Sequence, residues 1–176
     1  MAEYVHFVCT RGEAAGILAW QQRFWVSNCG CREERGVCAR SRHDVCLAFG
    51  PGEGRHEISP AGLEEILREA EAKHLVMRPY RDKANGQVGG FCICCDDCCG
   101  FFRHPGEYEC ERGALAERTD ESACTDCGDC AAVCFFGARR MADGHLAVDH
   151  EKCNGCGLCL DVCPAECIQM VPRAAS

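Results

Sequence analysis

At 176 residues the chain has room for one compact domain or two small ones, and its 20 cysteines inflate an apolar share of 47%. Without them the stock of Leu, Ile, Val and Phe is thin, so the core needs covalent or metal staples. The net charge of −8, with Lys and Arg scattered, argues against nucleic acid and acidic membrane surfaces as partners, and no apolar run approaches the roughly 20 residues of a membrane span. A secreted disulfide scaffold is disfavoured, because the N-terminus lacks the basic patch and apolar run of a signal peptide and the cysteines fall in C-x2-C spacings. Adjacent pairs at Cys94-Cys95 and Cys98-Cys99 are expected to aim neighbouring thiols at a common point. A reducing compartment, the cytoplasm, follows.

In chain order, residues 13–26 read as an apolar helix carrying Leu18, Trp20, Phe24 and Trp25, expected to pack in a core. A first clump of thiols follows: Cys29, Cys31, Cys38 and Cys46. Residues 50–54 read as a loop. Ser59-Pro60 opens a helix, with Ser as N-cap and Pro at the first helical position, and Leu63, Ile66, Leu67 and Ala70 carry it to about Lys73. Residues 74–80 read as a short strand and 85–90 as a loop. The second clump is Cys92, Cys94, Cys95, Cys98 and Cys99; five thiols in eight residues would oxidise if left free, so metal is the economical reading. Cys9 and Cys110 stand alone and read as structural, and residues 103–121 read as a charged connector without periodicity. The histidines lack ligand spacing. No nucleophile–base pair, phosphate loop or dinucleotide fingerprint is present, and Asp96-Asp97 reads as cluster surroundings or solvent-facing.

The C-terminal third is a repeat. A shift of 29 positions lays Cys124, Cys127, Cys130 and Cys134 onto Cys153, Cys156, Cys159 and Cys163. Between the copies, Asp143-Gly144 signals a type I′ hairpin joining residues 138–142 and 145–149. Each run has the form C-x2-C-x2-C-x3-C, the signature of bacterial two-cluster ferredoxins. Three cysteines at intervals of three wrap one face of a cubane, and the fourth lies too far round the next turn to reach the same cube. Cys124, Cys127, Cys130 and Cys163 are therefore assigned to one [4Fe–4S] cluster, and Cys153, Cys156, Cys159 and Cys134 to a second. Gly128 and Gly157 sit where backbone must approach sulfur closely, Pro164 stops the turn after Cys163, and Phe135 and Phe136 are placed to shield the clusters. Asp126 and Asp129 in the first loop, against Asn154 and Leu158 in the second, predict a lower potential for the first cluster. Zinc is the main rival metal, but tandem four-Cys runs in register without histidine favour iron–sulfur.

Residues 120–172 thus resemble a bacterial-type 2[4Fe–4S] ferredoxin domain, departing at Phe135, where the first run often has Pro, and at Cys167, where a small residue is usual. Cys167 reads as a small buried hydrophobe. Across about 27–172, the layout Cys29-Gly-Cys31-Arg, Cys46-Leu-Ala-Phe-Gly, the Cys-rich stretch and the tandem runs resembles anaerobe iron–sulfur proteins with a Cys-rich front module, departing near Asp97 where one more Cys is usual. The resemblance implies an α+β chain: a C-terminal two-cluster ferredoxin fold with a pseudo-twofold repeat over 116–176, behind a Cys-rich, mostly helical or irregular module over 1–115. The two front clumps are expected to fold together around one or two further clusters: eight thiols for two cubanes, four for one, with a non-cubane cluster or a zinc site as alternatives. The implied role is electron transfer, as a free carrier or as the wire subunit of an oxidoreductase serving a redox partner or catalytic subunit. An enzyme or a redox sensor with a special front cluster is the alternative.

Overall fold

The computed structural model describes residues 3–104 and 106–173; Met1 and Ala2 of the N-terminal segment and residues 174–176 of the expected C-terminal domain lie outside them. Strand β1 (Tyr4–Phe7) leads to Thr10, whose hydroxyl accepts from the Glu13 amide while the Glu13 carboxylate accepts from the Thr10 amide. This capping box starts helix α1 (Arg11–Leu18). Then come β2 (Phe24–Ser27), α2 (Gly30–Arg35), β3 (Cys46–Ala48) and β4 (His56–Ile58). Helix α3 (Pro60–Ala72) is capped by Ser59, as its Ser-Pro start predicts, and lays Leu63, Ile66 and Ala70 into the core. Strands β5 (Val76–Asp82) and β6 (Val88–Cys94), the short α4 (Gly100–Arg103) and β7 (Cys110–Glu111) complete a seven-stranded sheet of order β4-β2-β3-β6-β5-β1-β7. It is antiparallel except where β1 meets β7.

The C-terminal part is smaller. Strand β8 (Leu115–Thr119) pairs antiparallel with β11 (Ile168–Pro172), and β9 (Arg139–Ala142) pairs with β10 (His145–Val148). Asp143 and Gly144 both take positive φ (51° and 84°), as the hairpin signal requires. Two one-turn helices, α5 (Asp129–Ala132) and α6 (Leu158–Asp161), follow the cysteine loops.

The chain is a mixed α and β protein, but the front module is not mostly helical or irregular. Phe-Trp-Val-Ser at 24–27 is a run of strand formers, and pairing with β3 and β4 outweighs the helical reading of 13–26, which stops at Leu18. Leu18, Phe24 and Trp25 are buried, whereas Trp20, in the turn between helix and strand, is 87% exposed. The expected loop at 85–90 ends early, because β6 begins at Val88, and the expected connector at 103–121 contains β7 and β8.

Candidate metal centres

The two C-terminal cysteine runs build the same loop. Gly128 (φ 85°) and Gly157 (φ 77°) cap α5 and α6, and two further left-handed positions recur 29 residues apart: Asp126 with Gly155, and Gly137 with Glu166. Cys124, Cys127, Cys130 and Cys163 line one cavity; Cys134, Cys153, Cys156 and Cys159 line another. Each cavity thus gathers three thiols from one run and the fourth from the other. Cys167 lies in the first, its sulfur 3.5 Å from that of Cys163. Phe135 packs edge-on against Phe102 with Arg40 over its face, Phe136 lines the second cavity and packs against Phe101 and Phe102, and Pro164 opens the turn after Cys163.

Burial pushes Cys156 and Cys159 up to about 12, so without metal they hold their protons, and a bound cation must displace them. The Leu158 amide donates to Cys156, and the Cys167, Ala165 and Glu166 amides donate to Cys163, an arrangement that stabilises thiolate. Arg139, which no motif in the sequence marks, is buried between the two sites. Its Nη1 donates to Cys130 Sγ at 3.2 Å, and its Nη2 meets Glu117 and donates to Thr119 at 2.6 Å. Gly155 is likewise unmarked in the sequence. A Cβ there would stand 2.2 Å from the Leu115 carbonyl oxygen at φ 80°. Gly155→Ala is expected to lower stability by more than about 1 kcal/mol in anaerobic denaturation; an unchanged midpoint refutes the clash.

In the front module, sheet register brings the two thiol clumps together. Ser27 faces Cys46, Leu47 faces Phe91, and Arg78 faces Cys92. Cys92 and Cys94, two apart on β6, share a face. Six thiols follow one another as neighbours in a closed ring: Cys29 to Cys31, Cys31 to Cys99, Cys99 to Cys94, Cys94 to Cys92, Cys92 to Cys46, and Cys46 back to Cys29. Arg78 Nη1 lies 3.5 Å from both Cys94 and Cys99, and its Nε lies 3.4 Å from Cys110. His6 Nε2 lies 3.4 Å from Cys92 Sγ; burial and the Arg78 charge hold its imidazole down at about 4, so it is neutral at pH 7. Nothing in the spacing marked His6.

The remaining three front thiols form a separate group. Cys38, Cys95 and Cys98 have Sγ atoms 3.3–3.6 Å apart. Among the described residues this is the one group of potential ligands whose atoms all lie within 4.8 Å of one another. The adjacent pairs therefore do not converge. Cys94, the last residue of β6, joins the six-thiol ring, Cys95 just past the strand joins the other group, and Cys99 and Cys98 in the following turn are divided likewise. Asp96 pairs with Arg40, and Asp97 accepts from the Ala39 amide.

The chemistry of the surroundings fits thiolate-bound metal. Arg32 is fully buried, its Nη2 donating to the Ile93 carbonyl while Nε and Nη1 lack hydrogen-bond partners, and its guanidinium lies against Cys38, Cys29 and Cys98. Arg78 is 4% exposed. Among the described residues neither guanidinium is paired with a carboxylate. A buried cation without counter-charge is costly, and protonated thiols carry no charge to offset it; metal-bound thiolates do.

The second C-terminal cavity abuts the six-thiol ring. Leu158 is buried in one cluster with Val8, Val76, Cys94 and Cys99, against which Cys156 and Phe136 also pack. Thr10 presses on Gly157, where a Cβ would meet its methyl at 3.0 Å, and Arg11 pairs with Asp161 at 2.6 Å. The first cavity takes none of its lining from that cluster, and its Cys127 is exposed.

Fold and thiol placement together define a ferredoxin-like iron–sulfur protein with a Cys-rich region ahead of its ferredoxin-like part. Residues 116–170 match the family described as "4Fe-4S dicluster domain", and the chain belongs to that family through this segment. It is similar, at 41% identity over 61 residues, to the "Ferredoxin-like protein in vnf region" of Azotobacter vinelandii, covering 31% of this chain and 94% of that protein. It is 37% identical over 73 residues to a subunit of the Na(+)-translocating ferredoxin:NAD(+) oxidoreductase complex of Acetobacterium woodii, covering 39% of this chain but only 22% of that subunit. It is also 35% identical over 51 residues to "Pyruvate synthase subunit PorD" of Methanothermobacter marburgensis, across 29% of this chain and 59% of that subunit. None of the described helices is long and apolar enough to cross a membrane.

Proposed function

We propose that this chain is an electron-wire subunit of an anaerobic, cytoplasmic oxidoreductase complex, passing single electrons along three or four [4Fe–4S] clusters between a redox partner and a catalytic subunit. Cys124, Cys127, Cys130 and Cys163 hold the first cluster, Cys134, Cys153, Cys156 and Cys159 the second, and the front thiols one or two more. The 116–176 segment is the two-cluster domain and 1–115 the front module. The observation that carries the reading is the packing of the second cavity against the six-thiol ring through Leu158, Cys156, Cys94 and Cys99, while the first faces outward with Cys127 exposed. An electron taken up at the outer cluster then has a row of centres ahead of it. The subunit relatives support service within a complex.

When bound, the clusters supply one-electron redox chemistry. The chain's own residues hold the thiolates, exclude water with Phe136 and Leu158, and set local charge through Arg139, Arg78 and Arg32. The test is iron, acid-labile sulfide and zinc per chain on anaerobically purified protein, with EPR of the dithionite-reduced sample. Twelve to sixteen irons, on the order expected of three or four cubanes, support the wire. About eight irons confine redox chemistry to the ferredoxin-like part and defeat it.

One observation favours a catalytic or sensing front centre instead. A polar cavity of about 430 Å3 reaches both Cys31 and Cys98 between Arg35, Arg103 and His104, giving small molecules access to the front thiols. Turnover by the isolated chain selects that reading.

A further inference from the structure

We infer that Cys38, Cys95 and Cys98 hold a single tetrahedral divalent ion of the zinc or ferrous class, separate from every iron–sulfur cluster, so that the nine front thiols divide into six and three. The first argument is distance. A thiolate–zinc bond of about 2.3 Å sets the edge of a tetrahedron at about 3.8 Å. The three sulfurs stand 3.3, 3.5 and 3.6 Å apart, close to one such face. Cubane ligands stand farther apart, because each thiolate sits on its own iron at a separate corner. The C-terminal cysteines are arranged that way: they surround their cavities, and no three of them bring their sulfurs within 4.8 Å of one another.

The second argument is local backbone. Cys95 and Cys98 form a C-x2-C turn, and the Arg40 and Ser41 amides donate to Cys38 Sγ, as amides do around a metal-bound thiolate. Charge is the third. Three thiolates around a divalent cation leave one net negative charge, and Arg32, buried against Cys38 and Cys98 with two unpartnered nitrogens, neutralises it. Among the described residues no histidine or carboxylate joins the group, so water or a small ligand takes the fourth position, reaching it from the cavity that Cys98 lines.

The inference presupposes, with the wire reading, that the front thiols bind metal, but it is read from a different quantity. Zinc, iron and acid-labile sulfide are measured in the anaerobically purified full chain and in its Cys38→Ser and Cys98→Ser variants. The expected result is one zinc, or one iron without matching sulfide, per wild-type chain, lost in both variants while sulfide and visible cluster absorbance stay unchanged. Zinc identifies a redox-silent ion, and a sulfide-free high-spin ferrous signal identifies iron. Loss of about four irons together with their sulfide places the triad on a polynuclear cluster and overturns the inference without touching the wire reading. Unchanged metal content overturns it too. If the variants fail to fold, wild-type protein produced in cobalt-supplemented medium decides: intense visible bands of tetrahedral cobalt–thiolate support the ion, and their absence overturns it. No more than about eight sulfide-matched irons in the wild type counts against the wire, whatever the zinc content.

Discussion

Replacing Cys163 and Cys167 together by alanine is expected to strip about four irons and their sulfide from the chain, all of them from the cluster held by Cys124, Cys127 and Cys130. In sequence Cys163 belongs to the second run, but the spacing assigns it to the first cluster, and it lines the first cavity with Cys124, Cys127 and Cys130. The single Cys163→Ala variant is a weaker test, because Cys167 lies 3.5 Å from Cys163 and reaches Cys124, near enough to stand in as ligand. Cys167→Ala alone is expected to retain all iron. EPR of the reduced double variant should show the second cluster as an isolated spin, without the broadening that a neighbouring paramagnet imposes. If the second cluster disappears and the first survives, the crossed assignment is wrong.

The gathering of three thiols from one run with the fourth from the other was legible in the C-x2-C-x2-C-x3-C pattern, in which three residues per step fit around one face of a cube and the next turn cannot return to it. The Ser59-Pro60 helix and the Asp143-Gly144 hairpin were legible for a similar reason, each being settled within a few residues by caps or by φ. The front module was not. Whether residues 24–27 form a strand depends on β3 and β4, which lie about twenty residues or more away in sequence, and no local period reveals such partners. The division of the front thiols failed to show for the same reason. Cys94-Cys95 looks like a pair aimed at one point until Cys94 is known to end a strand and Cys95 to lie just past it. One signal did exist. Residues 74–80 read as a strand, and Arg78 is a charge at its centre; a charge at a core position of a strand asks for an anion, and that question leads straight to Cys94 and Cys99.

Arg139 is the corresponding charge in the C-terminal part, and Arg139→Met is expected to have two separable effects. The first is on stability. Arg139 and Glu117 form an ion pair with side chains only 1% and 2% exposed, and removing one partner of such a pair leaves an uncompensated buried charge worth about 3–5 kcal/mol. Adding Glu117→Gln should recover most of that loss, since the second variant takes away a buried carboxylate left with only Thr119 and His150 beside it. The other effect is on potential. Arg139 Nη1 donates to Cys130 Sγ, and its charge also reaches Cys159. A positive charge beside a cluster favours the added electron, so losing it lowers the potential, by on the order of 100 mV for a unit charge a few ångströms away at an effective dielectric near 20. The drop should be larger for the cluster bound by Cys130 than for the one bound by Cys159. Asp126 already works against reduction of the first cluster, although its carboxylate accepts from the Leu146 amide and meets His145, which blunts the effect. Arg139 opposes Asp126, so the native gap between the two potentials is narrower than the acidic loop alone implies, and Arg139→Met should widen it. Redox titration followed by EPR reads the potentials, and anaerobic denaturation reads the stability. A loss of stability with unmoved potentials would reduce Arg139 to a structural ion pair; a rise in potential would reverse the sign of its role.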